Sequence, residues 1–216
     1  MVTIRHERTG DAAAREQLLD VSYGPVRFTK TSERLREGRL PELSLVATEG
    51  RCTARCQAEW APVSRPDSAL TLESRAPAGA LIGTARLWPV SAGRGRPALL
   101  LGPLAVDPDC RKRGIGSALV QRALHEAGRL GHGAVLLVGD APYYARFGFS
   151  SEKTGALWLP GPYERHRLLA AELAPGALDN ARGLVRASGQ RTPRPDLATL
   201  VAGLARNAPA RAPRAA

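Results

Sequence analysis

A short basic segment that contains two glycines has the composition of an anion-binding turn. Residues 111–117 read Arg-Lys-Arg-Gly-Ile-Gly-Ser and follow an apolar run that ends at Val106. Glycines let backbone N–H groups approach an anion closely, and the first turn of a helix adds unpaired donors and about half a positive charge. The sequence therefore predicts a phosphate- or pyrophosphate-binding turn between a strand and a helix.

Two common nucleotide-binding motifs do not fit this turn. A P-loop ends in Gly-Lys-Ser/Thr, whereas here the second glycine is followed by Ser117 and Ala118. A dinucleotide fingerprint needs a third small residue three positions after that glycine, where this chain has Leu119. The pattern that remains is Arg-x-x-Gly-x-Gly over residues 111–116.

This pattern resembles the coenzyme A motif Gln/Arg-x-x-Gly-x-Gly/Ala of the GNAT N-acetyltransferase family. Residues 102–108 (Gly-Pro-Leu-Ala-Val-Asp-Pro) are similar to the family's splayed fourth strand, and residues 143–149 (Tyr-Tyr-Ala-Arg-Phe-Gly-Phe) are similar to its aromatic-Tyr-x-x-x-Gly-Phe helix. The three segments have the family's order and spacing. The resemblance extends over residues 1–186 and fits the bacterial branch of predicted acetyltransferases.

The resemblance implies an α/β fold in which a mixed, mainly antiparallel sheet is splayed between strands 4 and 5 and flanked by helices. In this family the pantetheine arm of acetyl-CoA, the cosubstrate, fills the gap between those strands. The main chain of residues 104–106 is therefore expected to bind the pantetheine, and residues 111–117 to bind the pyrophosphate. The residues assigned to acetyl-CoA are Leu104, Ala105, Val106, Arg111, Lys112, Arg113, Gly114, Ile115, Gly116 and Ser117.

Tyr144 matches the family's tyrosine that protonates the departing thiolate, which makes it the expected general acid. A phenol with a pKa of about 10 is a reasonable proton donor to a thiolate whose conjugate acid has a pKa of about 8.5. The alternative is a packed aromatic ring with a solvated hydroxyl. Tyr143 lies about 100° away around the helix and is expected in the core.

The acceptor amine must lose a proton before or during transfer. At pH 7, presenting the neutral form of an amine with a pKa of about 10.4 costs about 4.6 kcal/mol. Asp140, at the end of the fifth strand, is the first candidate for the base or a polar relay, and its alternative role is to cap the next helix. Glu73, Glu152 and His132 are further candidates, and the sequence does not decide among them.

Hydrophobic periodicity predicts the elements that position these residues. A four-residue repeat (Ile115, Leu119, Ala123, Ala127) marks the helix after the turn, and Gly102–Pro103 predicts a bulge or a lost partner within the fourth strand. Asp11 is expected to cap the first helix. The predicted strands are 2–6, 43–47, 81–88, 98–106 and 134–138, with a hairpin of 157–159 and 167–173; the predicted helices are 12–19, 114–130 and 141–147.

The chain is predicted to form one acetyltransferase domain, 1–186. Residues 51–79 are an atypical insertion or long loop, in which 69–72 could form a strand. Residues 187–216 are a basic tail rich in Pro and Arg, with one short helix possible at 196–204. The net charge of +11 is almost all arginine, is spread along the chain and has no interleaved aromatics in the tail. This pattern favours an anionic cosubstrate over nucleic acid as the partner.

The predicted function is direct transfer of acetyl from acetyl-CoA to a primary amine of a small molecule or protein in a ternary complex. No cysteine lies in a strongly activating setting, although Cys110 is next to Arg111, so an acyl-enzyme is not expected. The alternatives are a catalytically silent acyl-CoA-sensing module and a basic nucleic-acid-associated protein. A homodimer is left open.

No metal, membrane or export signal is expected. Cys52 and Cys56 lack the second ligand pair that a zinc site needs. The longest apolar run, 98–106, is far shorter than the roughly 20 residues that span a bilayer. Charges occupy the first residues, where a signal peptide needs an apolar run, which favours a cytoplasmic protein.

Overall fold

The computed structural model of the protein describes residues 1–50 and 79–193. Within these two ranges no helix has the length and apolar composition that crossing a bilayer requires. Several sequence predictions lie outside the described residues: the insertion 51–79 apart from Gly79, its strand at 69–72, Cys52, Cys56, Glu73 and the tail helix at 196–204.

A mixed sheet of eight strands organises the described chain. Its main path has the order β1-β2-β3-β4-β5-β7, and β8 pairs with both β3 and β6. Neighbours are antiparallel except for two parallel pairs, β4 with β5 and β6 with β8. This sheet, flanked by helices, confirms the predicted fold class. The strands are β1 (Val2–His6), β2 (Leu43–Glu49), β3 (Leu81–Ala92), β4 (Pro97–Val106), β5 (Ala134–Val138), β6 (Leu157–Trp158), β7 (Leu168–Glu172) and β8 (Gly183–Ala187).

Three α-helices lie among the described residues: α1 (Ala12–Tyr23), α2 (Ile115–Arg129) and α3 (Ala141–Tyr144). The four residues of the predicted stripe on α2, spaced four apart, are all buried in the main core cluster. At Gly83 on β3 a Cβ would lie 2.9 Å from Leu119 Cδ1, so α2 packs directly on the backbone of the sheet. The predicted helix after the turn is confirmed.

β4 and β5 pair over only two residues and then separate. Residues 99–100 face 135–136, and beyond them no pairing joins the two strands. The register between β3 and β4 shifts where Gly102–Pro103 interrupts β4: Ala85 faces Leu104, whereas Leu87 faces Leu101. The predicted bulge is confirmed, and its cause is that proline has no N–H for the ladder.

The predicted hairpin of 157–159 and 167–173 is wrong. β6 pairs with β8, and β7 pairs with β5 over all five of its residues. A four-residue apolar run, 168–171, is buried throughout, which suits a place beside β5 rather than in a peripheral hairpin.

Three further boundaries or roles differ from the predictions. β3 continues to Ala92, so its turn is shorter than predicted. The predicted tail boundary after residue 186 falls inside β8, and Thr192 N–H still donates to Gly38 C=O at 2.9 Å. The Asp11 carboxylate does not cap α1, because it accepts hydrogen bonds from Arg5 and from the Arg8 N–H.

Candidate active site

The basic glycine turn leaves a run of backbone donors unpaired before α2. Lys112 and Gly114 have left-handed φ values of 63° and 78°, and Gly114 is the N-cap without a side-chain hydrogen bond. Among the described residues, the N–H groups of 112–117 have no hydrogen-bond partner, and the first helical bond runs from Ala118 N–H to Gly114 C=O. Successive N–H groups in such a turn form a concave anion site. A left-handed lysine costs about 1–2 kcal/mol, so the turn is held in a disfavoured shape.

A cleft of about 350 Å³ lies over these donors. That volume is at the lower end of the range for small-molecule pockets. The turn residues line the cleft apart from Arg113, and three residues that were not assigned to the site from the sequence join them. The lining residues are Val106, Cys110, Arg111, Lys112, Gly114, Ile115, Gly116, Ser117, Tyr143 and Arg146.

Three cations of the cleft have no carboxylate partner in the described part of the chain: Arg111, Lys112 and Arg146. Arg146 stacks over the Tyr143 ring at 4.6 Å and donates to the Tyr143 carbonyl at 2.9 Å, which holds its charge at the cleft. Arg146 lies three residues after Tyr143, and this i, i+3 spacing on one helix face was the signal that the sequence offered.

Arg113 and Cys110 have other surroundings. The Arg113 guanidinium pairs with the Glu49 carboxylate at 2.7 Å, so only its main chain remains at the turn. Cys110 is buried, and burial raises the pKa of its thiol. A thiol that stays protonated is a poor nucleophile, so its surroundings do not favour an acyl-enzyme.

The main-chain N–H and C=O groups of successive β4 residues point alternately to β3 and to the gap between β4 and β5. Asp107 N–H donates to Ile82 C=O at 2.9 Å, which fixes the phase of the ladder to β3. Alternate residues of an antiparallel strand direct their N–H and C=O groups to the same side. The main-chain groups of Ala105 therefore bond to β3, whereas those of Leu104 and Val106 point toward the gap.

Ala105 thus cannot offer its main chain to a ligand in the gap, although the prediction included it. Its side chain packs against Leu18 and Leu19 of α1. The Leu104 carbonyl accepts a hydrogen bond from the Tyr23 hydroxyl, so α1 reaches the gap through its last residue. Tyr23 was not predicted, since nothing in the sequence links α1 to β4.

Tyr144 lies at the β5 side of the same gap. Its ring packs over Gly139, where a Cβ would overlap the ring, and meets Phe149 edge-on at 5.8 Å. Burial, and next the nearby Tyr23 and Tyr143 phenols, raise the pKa of Tyr144, so its hydroxyl stays protonated at neutral pH.

The expectation that Tyr143 lies in the core is wrong. Tyr143 lines the cleft, and its hydroxyl is 3.2 Å from where a Cβ would stand on Gly116. Tyr144 is the ring that packs against the core. The reason is local: Gly139 leaves room for one ring behind α3, and the helix directs Tyr144 there.

Asp140 is an exposed residue at the end of β5. Its side chain is 75% exposed and lies 3.1 Å from the Arg167 guanidinium, and it does not cap α3. His132 precedes β5, at the end opposite Tyr144, and lies 3.7 Å from Glu42. Glu152 is exposed on a turn. Asp140 is thus the predicted base that the described structure brings near Tyr144.

Residues 1–50 and 79–193 contain no group of three His, Cys, Asp or Glu side chains that could hold a metal ion. The cleft instead presents N–H donors and guanidinium or ammonium groups. These groups bind anions rather than cations.

Comparisons with known proteins agree with this geometry. Residues 68–151 match the model of the acetyltransferase (GNAT) domain. An uncharacterized N-acetyltransferase, YhbS of Escherichia coli K12, is 33% identical over 183 residues, which cover 84% of this chain and 93% of YhbS.

Solved structures show the same fold. The crystal structure of YhbS from E. coli in complex with CoA aligns with a TM-score of 0.65 and 28% identity, covering 87% of this chain and 89% of that one. A GNAT acetyltransferase from Brucella melitensis, solved with acetyl-CoA, aligns with a TM-score of 0.52 and 23% identity over 92% and 97%. From the sheet, the turn and these relatives together, the chain is an acyltransferase that belongs to the GNAT family of N-acetyltransferases.

Proposed function

We propose that the enzyme moves an acetyl group from acetyl-CoA to a primary amine by direct transfer in a ternary complex. The observation that carries this is the run of unpaired N–H donors at 112–117, next to a gap between β4 and β5 that Tyr144 borders. YhbS, the relative solved with CoA, supports the identity of the cosubstrate.

The chain's own groups fit the parts of acetyl-CoA. The N–H groups of 112–117 would bind the pyrophosphate, with Arg111, Lys112 and Arg146 beside it. The main chain of Leu104 and Val106 would bind the pantetheine amides in the gap. A carbonyl oxygen has two lone pairs, so Leu104 can accept from Tyr23 and from an amide together.

Transfer forms a C–N bond at the thioester carbonyl and breaks the C–S bond, while the amine loses a proton and the sulfur gains one. Tyr144, which stays protonated and packs over Gly139 at the β5 side of the gap, would donate to the departing sulfur. At reference pKa values of about 10 and 8.5, full proton transfer is uphill by about 2 kcal/mol, and the raised pKa of Tyr144 makes it more unfavourable still. Tyr144 therefore acts first by a hydrogen bond that strengthens as charge develops on the sulfur.

The amine proton needs a separate route. Asp140 would relay it to solvent, because it follows β5 near Tyr144 and is exposed. Carboxylates in general are far weaker bases than amines, so we expect acceptors whose amine is partly neutral to react fastest.

Release of free thiol from acetyl-CoA, measured across a panel of primary amines, tests the proposal. Turnover that depends on an amine is expected. CoA binding without turnover on any amine would instead identify a silent acyl-CoA-sensing module.

A further inference from the structure

A buried arginine lies at the bulge of β4, near the point where β4 leaves β5. The Arg36 side chain is only 6% exposed, and its Nη2 lies 2.7 Å from Glu33. Its Nε has no hydrogen-bond partner in the described chain, and Nη1 lies 3.8 Å from where a Cβ would stand on Gly102. A buried guanidinium with an unused donor is costly unless a ligand completes its bonds.

Two more cations surround the same end of the gap. Lys30 Nζ lies 4.2 Å from the centre of the Tyr23 ring and makes no ion pair with any described residue. The Tyr23 hydroxyl donates to the Leu104 carbonyl, two residues from Gly102, so Lys30 and Arg36 flank the same stretch of β4. Burial, and next the charges of Arg36 and Arg167, lower the pKa of Lys30. We call Lys30, Arg36 and Arg167 the cation cluster.

Arg167 completes the cation cluster on the β5 side. Its carbonyl accepts from Gly139 N–H at 2.9 Å, directly behind the Tyr144 ring, and its Nε is buried without a partner among the described residues. The carboxylates near the cation cluster do not use all of its hydrogen-bond donors. Glu33 and Asp140 each contact one terminal nitrogen of an arginine, and Glu164 is 3.8 Å from Arg167 and 64% exposed.

Lys30, which lies over the Tyr23 ring, is on the other face of the sheet from the phosphate-binding turn. Tyr23 packs with the α1 cluster that contains Ala105, whereas Ile115 of α2 packs in the main core cluster. The cosubstrate's phosphates are therefore expected on the face opposite Lys30, which leaves the α1 face for the second substrate.

We propose that the acceptor is an amine that also carries a carboxylate, which the cation cluster binds while the amine enters the gap beside Tyr144. This inference rests on the proposed function. Arginine binds a carboxylate through paired charge-assisted hydrogen bonds, and the unused Nε donors of Arg36 and Arg167 supply them. A polyamine would bring a second positive charge to the same place and be repelled.

Spacing along β4 refines the acceptor. Arg36 meets the strand at Gly102, and the pantetheine arm that carries the acetyl group is expected at Leu104, two residues further on. Two residues of chain span at most about 7 Å, and less where β4 bulges. The amine and the carboxylate should therefore be several bonds apart, as in 4-aminobutyrate, rather than adjacent as in glycine.

Matched acceptors test this directly through kcat/KM for thiol release. The probes are 4-aminobutyrate, its neutral amide 4-aminobutanamide, the diamine putrescine, and glycine. A second pair, phosphoethanolamine and ethanolamine, tests whether a phosphate group can take the place of the carboxylate. We expect 4-aminobutyrate to exceed its amide by about 10- to 100-fold, the range for a lost charge-assisted bond. Equal rates for the acid and the amide, or a preference for putrescine or phosphoethanolamine, would overturn the proposal.

Substitutions in the cation cluster test which side chains bind the carboxylate of the acceptor. Arg36→Gln combined with Glu33→Gln should lower kcat/KM for 4-aminobutyrate about 10-fold or more while leaving the amide rate and the affinity for CoA unchanged. Arg167→Gln also removes the partner of Asp140, so for this variant we expect a fall in the ratio of the acid rate to the amide rate. Arg186→Gln, at an exposed residue of β8, is the control. Variants that lower both acceptor rates equally would contradict a role in carboxylate binding.

Calorimetry separates the inference from the proposed function. If no amine turns over, the CoA-loaded protein is titrated with 4-aminobutyrate. Binding that Arg36→Gln with Glu33→Gln abolishes supports the cation cluster as a carboxylate site, although the enzyme proposal has failed. No binding overturns the inference.

Discussion

Two adjacent tyrosines of α3 have different surroundings and, we propose, different roles. Tyr144 packs over Gly139 at the β5 side of the gap, and Tyr143 lines the cleft beside Gly116. The resemblance predicted the role of Tyr144. It could not predict which ring is packed, because that depends on the space left by Gly139 after the chain has folded.

Tyr144→Phe removes one donor and almost no packing. We expect kcat to fall by about 10²- to 10⁴-fold, with little change in the affinity for acetyl-CoA. Tyr163→Phe, which removes a hydroxyl bound to the Leu157 carbonyl at 3.2 Å outside the cleft, is the matched control. A wild-type kcat in Tyr144→Phe would mean that water or another group assists the thiolate.

Gly139→Ala should displace the Tyr144 ring, because the new Cβ would overlap it. Overpacking of this kind costs about 1–3 kcal/mol of unfolding free energy, and each kcal/mol lowers Tm by about 2–4 °C for a chain of this size. We expect kcat to fall together with Tm. Gly155→Ala, where a Cβ meets nothing within 4 Å, should change neither. An unchanged Tm in Gly139→Ala would refute this close contact.

At the scale of elements, the turn and α2 form the unit that the sequence predicted best. Local glycines, a basic run and a four-residue apolar repeat all lie within residues 111–127, so no distant partner is needed to recognise them. Pairings over long distances were harder. The β6 and β7 segments read as a hairpin, yet they pair with β8 and β5, because partner choice depends on which buried edge is free.

In the site, too, features set by local sequence were predictable and features set by distant residues were not. Glycine and cation positions in the turn were predictable, whereas Arg113 turns to Glu49 and Ala105 bonds toward β3, and both follow from neighbours remote in sequence. Tyr23 and Arg36 belong to the segment before β2, where neither pattern nor resemblance marked them.

Gly116→Glu tests the turn as an anion site. The new carboxylate would stand beside the unpaired N–H groups, and its Cβ would lie 3.2 Å from the Tyr143 hydroxyl. We expect calorimetry to show loss of CoA binding with the fold retained, and the same for Gly114→Glu. Gly128→Glu, an exposed position near the other end of α2 with nothing within 4 Å, should bind CoA normally. Retained affinity in both turn variants would disprove the assignment.

The protein has a net charge of +11, and part of this positive charge is concentrated at the cleft. Most arginines are scattered, but Arg111, Lys112 and Arg146 gather at the cleft without carboxylates among the described residues. Such exposed cations attract an anionic ligand, and the attraction is screened beyond about 8 Å at physiological ionic strength.

CoA affinity should therefore fall as salt is raised, and the triple variant Arg111→Gln, Lys112→Gln, Arg146→Gln should flatten that dependence. A control with equal charge loss is Arg94→Gln, Arg182→Gln, Arg186→Gln, at exposed residues near the other end of β4. Titrations at three salt concentrations measure both. A dependence on salt that is identical in the two triple variants would show that only the net charge matters.

The stoichiometry of one reaction distinguishes direct transfer from a route through an acetylated protein. Free thiol and acetylated amine are quantified together, with and without the amine, and the protein mass is measured at the end. We expect one thiol and one acetamide per turnover, none without amine, and an unmodified protein. A burst of thiol without amine, with one acetyl group on the protein, would contradict direct transfer.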